Sequence, residues 1–136
     1  MRAAEADMKR SDRKPAGLIL YTTWPSAETA AAAARELVEA GLAACANLLP
    51  AGRSIYLWEG RLEDQAETVL LLKTPASLGK SLRARLEVIH PYETPCTLAL
   101  PVAAEASATS FLLWMEEVAQ QRKTGAFIGP QSGEKP

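Results

Sequence analysis

His90 is the single histidine of the 136-residue chain, so any Ser-His or Cys-His catalytic pair would have to use it. It follows a predicted helix and precedes Pro91. The helix dipole at that position favours the imidazolium, which is a poor resting general base. The sequence contains no glycine-rich phosphate loop, no C-x-x-C and no H-E-x-x-H motif. We therefore predict a protein that is not an enzyme and has no catalytic residues, and one chain alone is not expected to form a zinc site.

The cysteines and carboxylates are the other side chains that could carry chemistry. Cys45 and Cys96 lie far apart in apolar surroundings, which is typical of buried free thiols in an intracellular protein. A predicted hairpin carries a cluster of acidic residues, namely Glu59, Glu63, Asp64 and Glu67. In a hairpin such a cluster is more often a solvated rim than a catalytic pair.

Composition limits the partners and the domain count. The net charge of −1 provides no field to hold nucleic acid or an anionic membrane. With 48% hydrophobic residues the chain can form one globular domain, predicted at 16–122. Residues 1–15 are predicted to be a flexible arm and 123–136 a flexible tail. No apolar stretch reaches the ~20 residues of a membrane helix, and we expect a cytoplasmic protein.

Strand and helix periods alternate along this domain. Strands are predicted at 17–23, 67–73 and 96–102. One helix is capped by Ser26 and ends at Gly41, and a second is capped by Ser77 and ends before Pro91. A third carries an apolar stripe, formed by Phe111, Trp114, Met115 and Val118. Extended segments at 43–49 and 53–59 flank a break at 50–52, which is either a hairpin turn or a bulge in one bent strand.

The order β-α-β-β-α-β plus a C-terminal helix predicts an α+β, ferredoxin-like fold with an antiparallel sheet. Two helices would cover one face of the sheet, yet both parities of the strands are apolar, as in Val69 and Leu71 against Leu70 and Leu72. The uncovered face therefore predicts a homo-oligomer. The alternative is that the third helix alone covers this face, although one short helix is small for that area.

Four motifs then occur in a distinctive order. They are LAACANLLP at 42–50, SIYLWEG at 54–60, LLLKT at 70–74, and HPYETP at 90–95 followed by LALPV at 98–102. Together they resemble the CutA family of divalent-cation-tolerance proteins, from about Leu18 to Val118. The resemblance implies a tight homotrimer whose sheets meet about a three-fold axis. It also implies one long kinked strand from Ala43 to Glu59, with a tight turn at Gly60.

The resemblance further implies tolerance to copper and other divalent cations, copper binding, and an architecture like that of the PII signalling proteins. It supplies no reaction and no catalytic residue. His90 matches the family's His-Pro-Tyr motif and is the best single candidate for a metal ligand. Cys96 replaces an acidic residue and could be a soft ligand for copper(I), or else a buried structural thiol. With one imidazole per chain, a site would need symmetry or help from Cys96 or Glu93; otherwise His90 is a surface residue that only caps a helix.

Clefts between subunits suggest a different role, because small ligands often bind at such interfaces. The candidate cleft residues, besides His90, are Tyr56, Trp58, Glu59, Lys73, Tyr92 and Trp114. The alternative is that the aromatic residues form the interface core while Glu59 and Lys73 pair with each other. A PII-like sensor would bind a small anionic ligand there and signal to an unknown protein partner. The two hypotheses, metal tolerance and ligand sensing, both remain open at the level of sequence.

Overall fold

The computed structural model describes residues 14–124, and the side chains of 14–119. Its strands are β1 (Gly17–Trp24), β2 (Cys45–Trp58), β3 (Arg61–Thr74) and β4 (Thr97–Val102), and its helices are α1 (Ala27–Glu39), α2 (Gly79–Ile89) and α3 (Thr109–Thr124). Most of the predicted arm, and the predicted tail from residue 125 onward, lie outside the described residues. Helix α3 continues past residue 122, where the domain was predicted to end.

The four strands form one antiparallel sheet in the order β2-β3-β1-β4. One face packs against α1 and α2, through a core that includes Leu20, Leu70 and Leu72 from the strands and Leu37 and Leu82 from the helices. The alanine-rich face of α1 lets this helix lie close to the sheet. The ferredoxin-like prediction is confirmed.

The two predicted helix caps have different outcomes. The Ser26 side chain accepts a hydrogen bond from the Thr29 N–H, and the Thr29 side chain reciprocates, so the cap of α1 is confirmed. The prediction that Ser77 caps α2 is wrong. A 3₁₀ turn at Ala76–Leu78 precedes the helix, and no side chain caps it. Because Leu78 N–H already bonds to the Pro75 carbonyl, the regular helix starts only at Gly79.

The break at 50–52 is a bulge within one long strand, as the family resemblance implied. The pairing of β2 with β3 shifts register between Leu49 and Gly52, and Ala51 takes the left-handed conformation, with φ of 62°. The hairpin closes at Glu59 and Gly60, both with positive φ, which matches a two-residue type I′ turn. The result is a hairpin of two 14-residue strands that extends beyond the helices.

The second face of the sheet is open along most of its length in the described chain. Its apolar side chains include Leu98 and Leu100 on β4, which are 61% and 49% exposed, and Trp58 on β2, which is 59% exposed. Helix α3 reaches only one end of this face, where Phe111 and Met115 lie near Ile19 and Lys73. The alternative that α3 alone covers the face is therefore wrong.

Candidate functional site

His90 lies at the end of α2, where the backbone leaves the helix with φ −71° and ψ 137° ahead of Pro91. Its Nε2 is 2.8 Å from the Thr23 carbonyl oxygen, and its Nδ1 is 3.1 Å from the Tyr92 backbone nitrogen. A carbonyl can only accept and a backbone N–H can only donate, so Nε2 carries the proton and Nδ1 accepts. This pair of contacts assigns a neutral imidazole with both nitrogens engaged.

Two aromatic rings surround this imidazole, and each of them is hydrogen-bonded to a polar side chain. The Trp24 and Tyr92 ring centroids are 4.0 Å and 4.9 Å from that of His90. The Trp24 Nε1–H donates to Thr22 Oγ1 at 2.7 Å, and the Tyr92 hydroxyl donates to Glu67 Oε2 at 2.8 Å. We call these residues, with Thr23, the His90 network. It fastens the loop after α2 to strands β1 and β3.

Two expectations about His90 are wrong. The side chain is buried, at 7% exposed, so His90 is not a surface residue. Burial lowers the pKa of the imidazole below its usual value, although the Thr23 carbonyl and the Glu67 carboxylate act in the opposite direction. The dipole of α2 therefore does not decide the charge state, and the neutral form is favoured. The pKa of Tyr92 is raised to about 12 by burial and by its hydrogen bond to Glu67.

The lowered pKa of His90 predicts a pH dependence of stability. In the unfolded chain histidine titrates near pH 6.5. As the pH falls, the unfolded state therefore takes up a proton before the folded state does. The contribution of His90 to the free energy of unfolding is complete above about pH 6.5 and decreases below it. Urea unfolding at pH 7.5, 6.5 and 5.5 measures the effect. The His90→Asn variant should lack this component, and an equal pH dependence in both proteins would contradict the prediction.

The metal candidates do not form a closed site in one chain. Among the described residues, no group of three or more His, Cys, Asp and Glu side chains is placed to hold a metal ion. Glu93 is exposed, and Cys96 is a half-buried free thiol. A metal ion at His90 would have to replace the Thr23 or Tyr92 hydrogen bond. Ligation by His90, Cys96 and Glu93 stays a prediction.

A single chain does not bring the six cleft candidates together. Tyr56, Trp58 and Glu59 lie at the far end of the hairpin, whereas Lys73 pairs across the sheet with Cys45 at the other end. Glu59 lies in the turn next to Arg61, and Arg61 is twelve residues from Lys73 along β3, a distance of ~40 Å. The alternative that Glu59 and Lys73 pair within the chain is therefore wrong.

Two carboxylates of the acidic hairpin cluster have partners in the described chain. Asp64 forms an ion pair with Arg53, and Glu67 accepts the Tyr92 hydrogen bond. No two of these carboxylates share a hydrogen bond in the described chain. Asp64 is exposed and Glu67 is half-buried, which agrees with the interpretation of the cluster as a surface rim.

A cavity of about 700 Å³ lies between α1, the start of β2 and the start of α3. Two cleft candidates, Lys73 and Trp114, line it. The other lining residues, which include Arg35, Asn47 and Phe111, were not among the predicted cleft residues. The pattern did place Phe111 and Trp114 on one helix face, but it could not show that this face meets the edge of the sheet and leaves space there.

The sheet order, the two helices on one face and the long bulged hairpin define a ferredoxin-like domain. The family described as CutA1 divalent ion tolerance protein matches residues 18–118. The chain belongs to this family, whose name refers to tolerance of ions and not to a reaction.

Individual relatives agree with this assignment. The divalent-cation tolerance protein CutA of Pectobacterium atrosepticum is 41% identical over 98 residues, covering 72% of this chain and 87% of the relative. Protein CutA of Mus musculus is 38% identical over 100 residues, which are 74% of this chain but only 55% of the mouse protein. The structure of the periplasmic divalent cation tolerance protein CutA from Archaeoglobus fulgidus is 35% identical, with a TM-score of 0.71, and the match covers 76% of this chain and 98% of that one.

Proposed function

We propose that the protein is a non-enzymatic, homotrimeric divalent-cation-tolerance protein that binds copper or another divalent metal ion and takes part in the response to metal ions. The family membership supports the role in tolerance. The observation that carries self-association is the open apolar face of the sheet, because a soluble protein rarely leaves a patch of that size without a partner. The number of three subunits follows from the family resemblance. A second copy supplies the same apolar chemistry.

The loop from His90 to Cys96 is the proposed source of metal ligands. Glu93 is exposed and can coordinate without disturbing the fold, while the Cys96 thiol suits copper(I). His90 can join only if the metal takes the place of Tyr92 N–H at Nδ1 or of the Thr23 carbonyl at Nε2. Ligands from symmetry-related loops would complete the coordination shell.

Native mass spectrometry of the whole chain, without metal, with copper(II) and, under reducing conditions, with copper(I), tests this proposal. We expect a trimer that binds copper. The double variant Glu93→Gln, Cys96→Ser should bind copper at least about tenfold more weakly than the wild type. The matched control is Glu105→Gln, an exposed carboxylate before α3. A trimer that retains copper equally in all variants would contradict the ligand assignment, and a monomer would contradict the assembly.

A PII-like signalling trimer that binds a small anionic ligand is the second candidate. The cavity beside β2 favours it, since this cavity contains the cation Lys73 and the aromatic Trp114. A titration with nucleotides, set beside the copper titration, separates the two functions.

The proposed location is the cytoplasm, and the proposed partners exclude nucleic acid and membranes. The net charge of −1 supports the absence of nucleic acid. In the described part of the chain, no helix is long and apolar enough to span a bilayer. The Archaeoglobus relative is named periplasmic, so fractionation of cells that express the full chain is the direct test of location.

A further inference from the structure

The cavity between α1, β2 and α3 has the size of a ligand site. Its volume of about 700 Å³ lies within the range of small-molecule pockets, roughly 300–1,000 Å³. One wall is formed by small side chains of α1, including Ala31, Ala34 and Val38. Phe111 and Trp114 also line the cavity, and their ring centroids are 5.3 Å apart. These side chains suit a flat apolar body.

The charges at the cavity favour an anion. Lys73 and Arg35 are its cations and Glu39 its one carboxylate, so the lining carries a net positive charge in a chain of net charge −1. Within the described residues, none of the three belongs to an ion pair. The Lys73 ammonium lies 5.3 Å from the Phe111 ring centroid, which holds the cation beside the aromatic wall.

We infer that this cavity binds an amphipathic monocarboxylate, with its apolar body against the small side chains of α1 and the rings of Phe111 and Trp114, and its carboxylate on Lys73. Glu39 disfavours a dianion, and no glycine-rich loop offers the backbone donors that a phosphate needs. The inference rests on the second candidate function and gives its ligand a chemical class. It also places the site within one chain, at the free edge of β2.

Isothermal titration of the native protein with 2-naphthoate, an aromatic monocarboxylate, tests this inference. We expect one saturable site per chain and quenching of tryptophan fluorescence, because the naphthalene ring would contact Trp114. Lys73→Gln should weaken binding about tenfold through the loss of a charge-assisted contact. The control Lys80→Gln changes an exposed lysine on α2, outside the cavity, and should leave the affinity unchanged.

A second variant and a neutral analogue of the ligand provide two further tests. Arg35 is exposed, so Arg35→Gln leaves the fold intact and should still weaken naphthoate binding by severalfold. The neutral analogue 2-naphthalenemethanol should bind more weakly than naphthoate to the wild type and equally to wild type and Lys73→Gln. Equal naphthoate affinity in Lys73→Gln, Arg35→Gln and the control would overturn the inference.

The experiment separates this inference from the function on which it rests. If naphthoate binding survives Lys73→Gln but is lost in Trp58→Ala, the ligand binds at a cleft that includes the hairpin, and the sensor function stands while this site does not. If neither naphthoate nor nucleotides bind, both fail. A second copy covering the cavity in the assembly would give that result.

Discussion

Replacing Trp24 with alanine should lower the free energy of unfolding by about 3–5 kcal/mol, the usual cost of truncating a large buried aromatic residue. Trp24 is 1% exposed, it packs on the His90 ring, and its indole N–H donates to Thr22. The substitution opens a cavity and removes one wall of the His90 network. Urea unfolding at fixed protein concentration measures the change, because assembly would make stability depend on concentration.

The matched variant Trp24→Phe separates packing from hydrogen bonding. Phenylalanine keeps an aromatic ring against His90 but loses the indole donor, and Thr22 still donates to the Leu70 carbonyl. We expect a loss of about 1–2 kcal/mol for this variant. An alanine variant that is no less stable than the phenylalanine variant would show that the ring contributes little to the network.

A charge on the open face of the sheet should disrupt assembly without unfolding the domain. Leu98 is 61% exposed on β4 and neighbours Tyr21 of β1 on this face. Leu98→Glu would bury an unpaired carboxylate in the proposed interface. We expect the dissociation constant of the assembly to rise at least about 100-fold. Native mass measured over a dilution series gives the result.

Val88 provides the control for that experiment. It is 74% exposed on α2, away from the open face, so Val88→Glu introduces the same charge where no subunit contact is proposed. We expect its native mass to equal that of the wild type. If both variants dissociate equally, or if neither does, the open face is not the interface between subunits.

The fold could be predicted from local patterns, whereas the site could not. Ser26 and Gly60 mark their cap and turn through chemistry that acts within a few residues. Ser77 failed as a cap because a preceding 3₁₀ turn, closed at the buried Pro75, moved the start of the helix. The start of α2 follows from this turn after Pro75 and not from the polar side chain that the pattern singled out.

The burial of His90 arises from contacts between distant parts of the chain. Its carbonyl partner belongs to Thr23, and the carboxylate that holds Tyr92 belongs to Glu67. The sequence singled out the histidine, but its charge state follows from these neighbours. The cavity beside β2 has the same origin, since α1, β2 and α3 meet there only in the folded chain.

The sheet topology also sets the order in which the chain can fold. In the long hairpin, Trp58 pairs with Arg61 and the two strands can zip from the turn, with little loop entropy to overcome. Strand β4 is short, and it joins the sheet only when Val102 reaches Gly17, across most of the domain. Among the strand pairs of the sheet, β1 and β4 join residues that are farthest apart in sequence. We therefore expect the docking of β4 to limit the folding rate. Until it docks, the β1 edge is available to the β4 of another chain, so refolding at high concentration should favour strand exchange between copies.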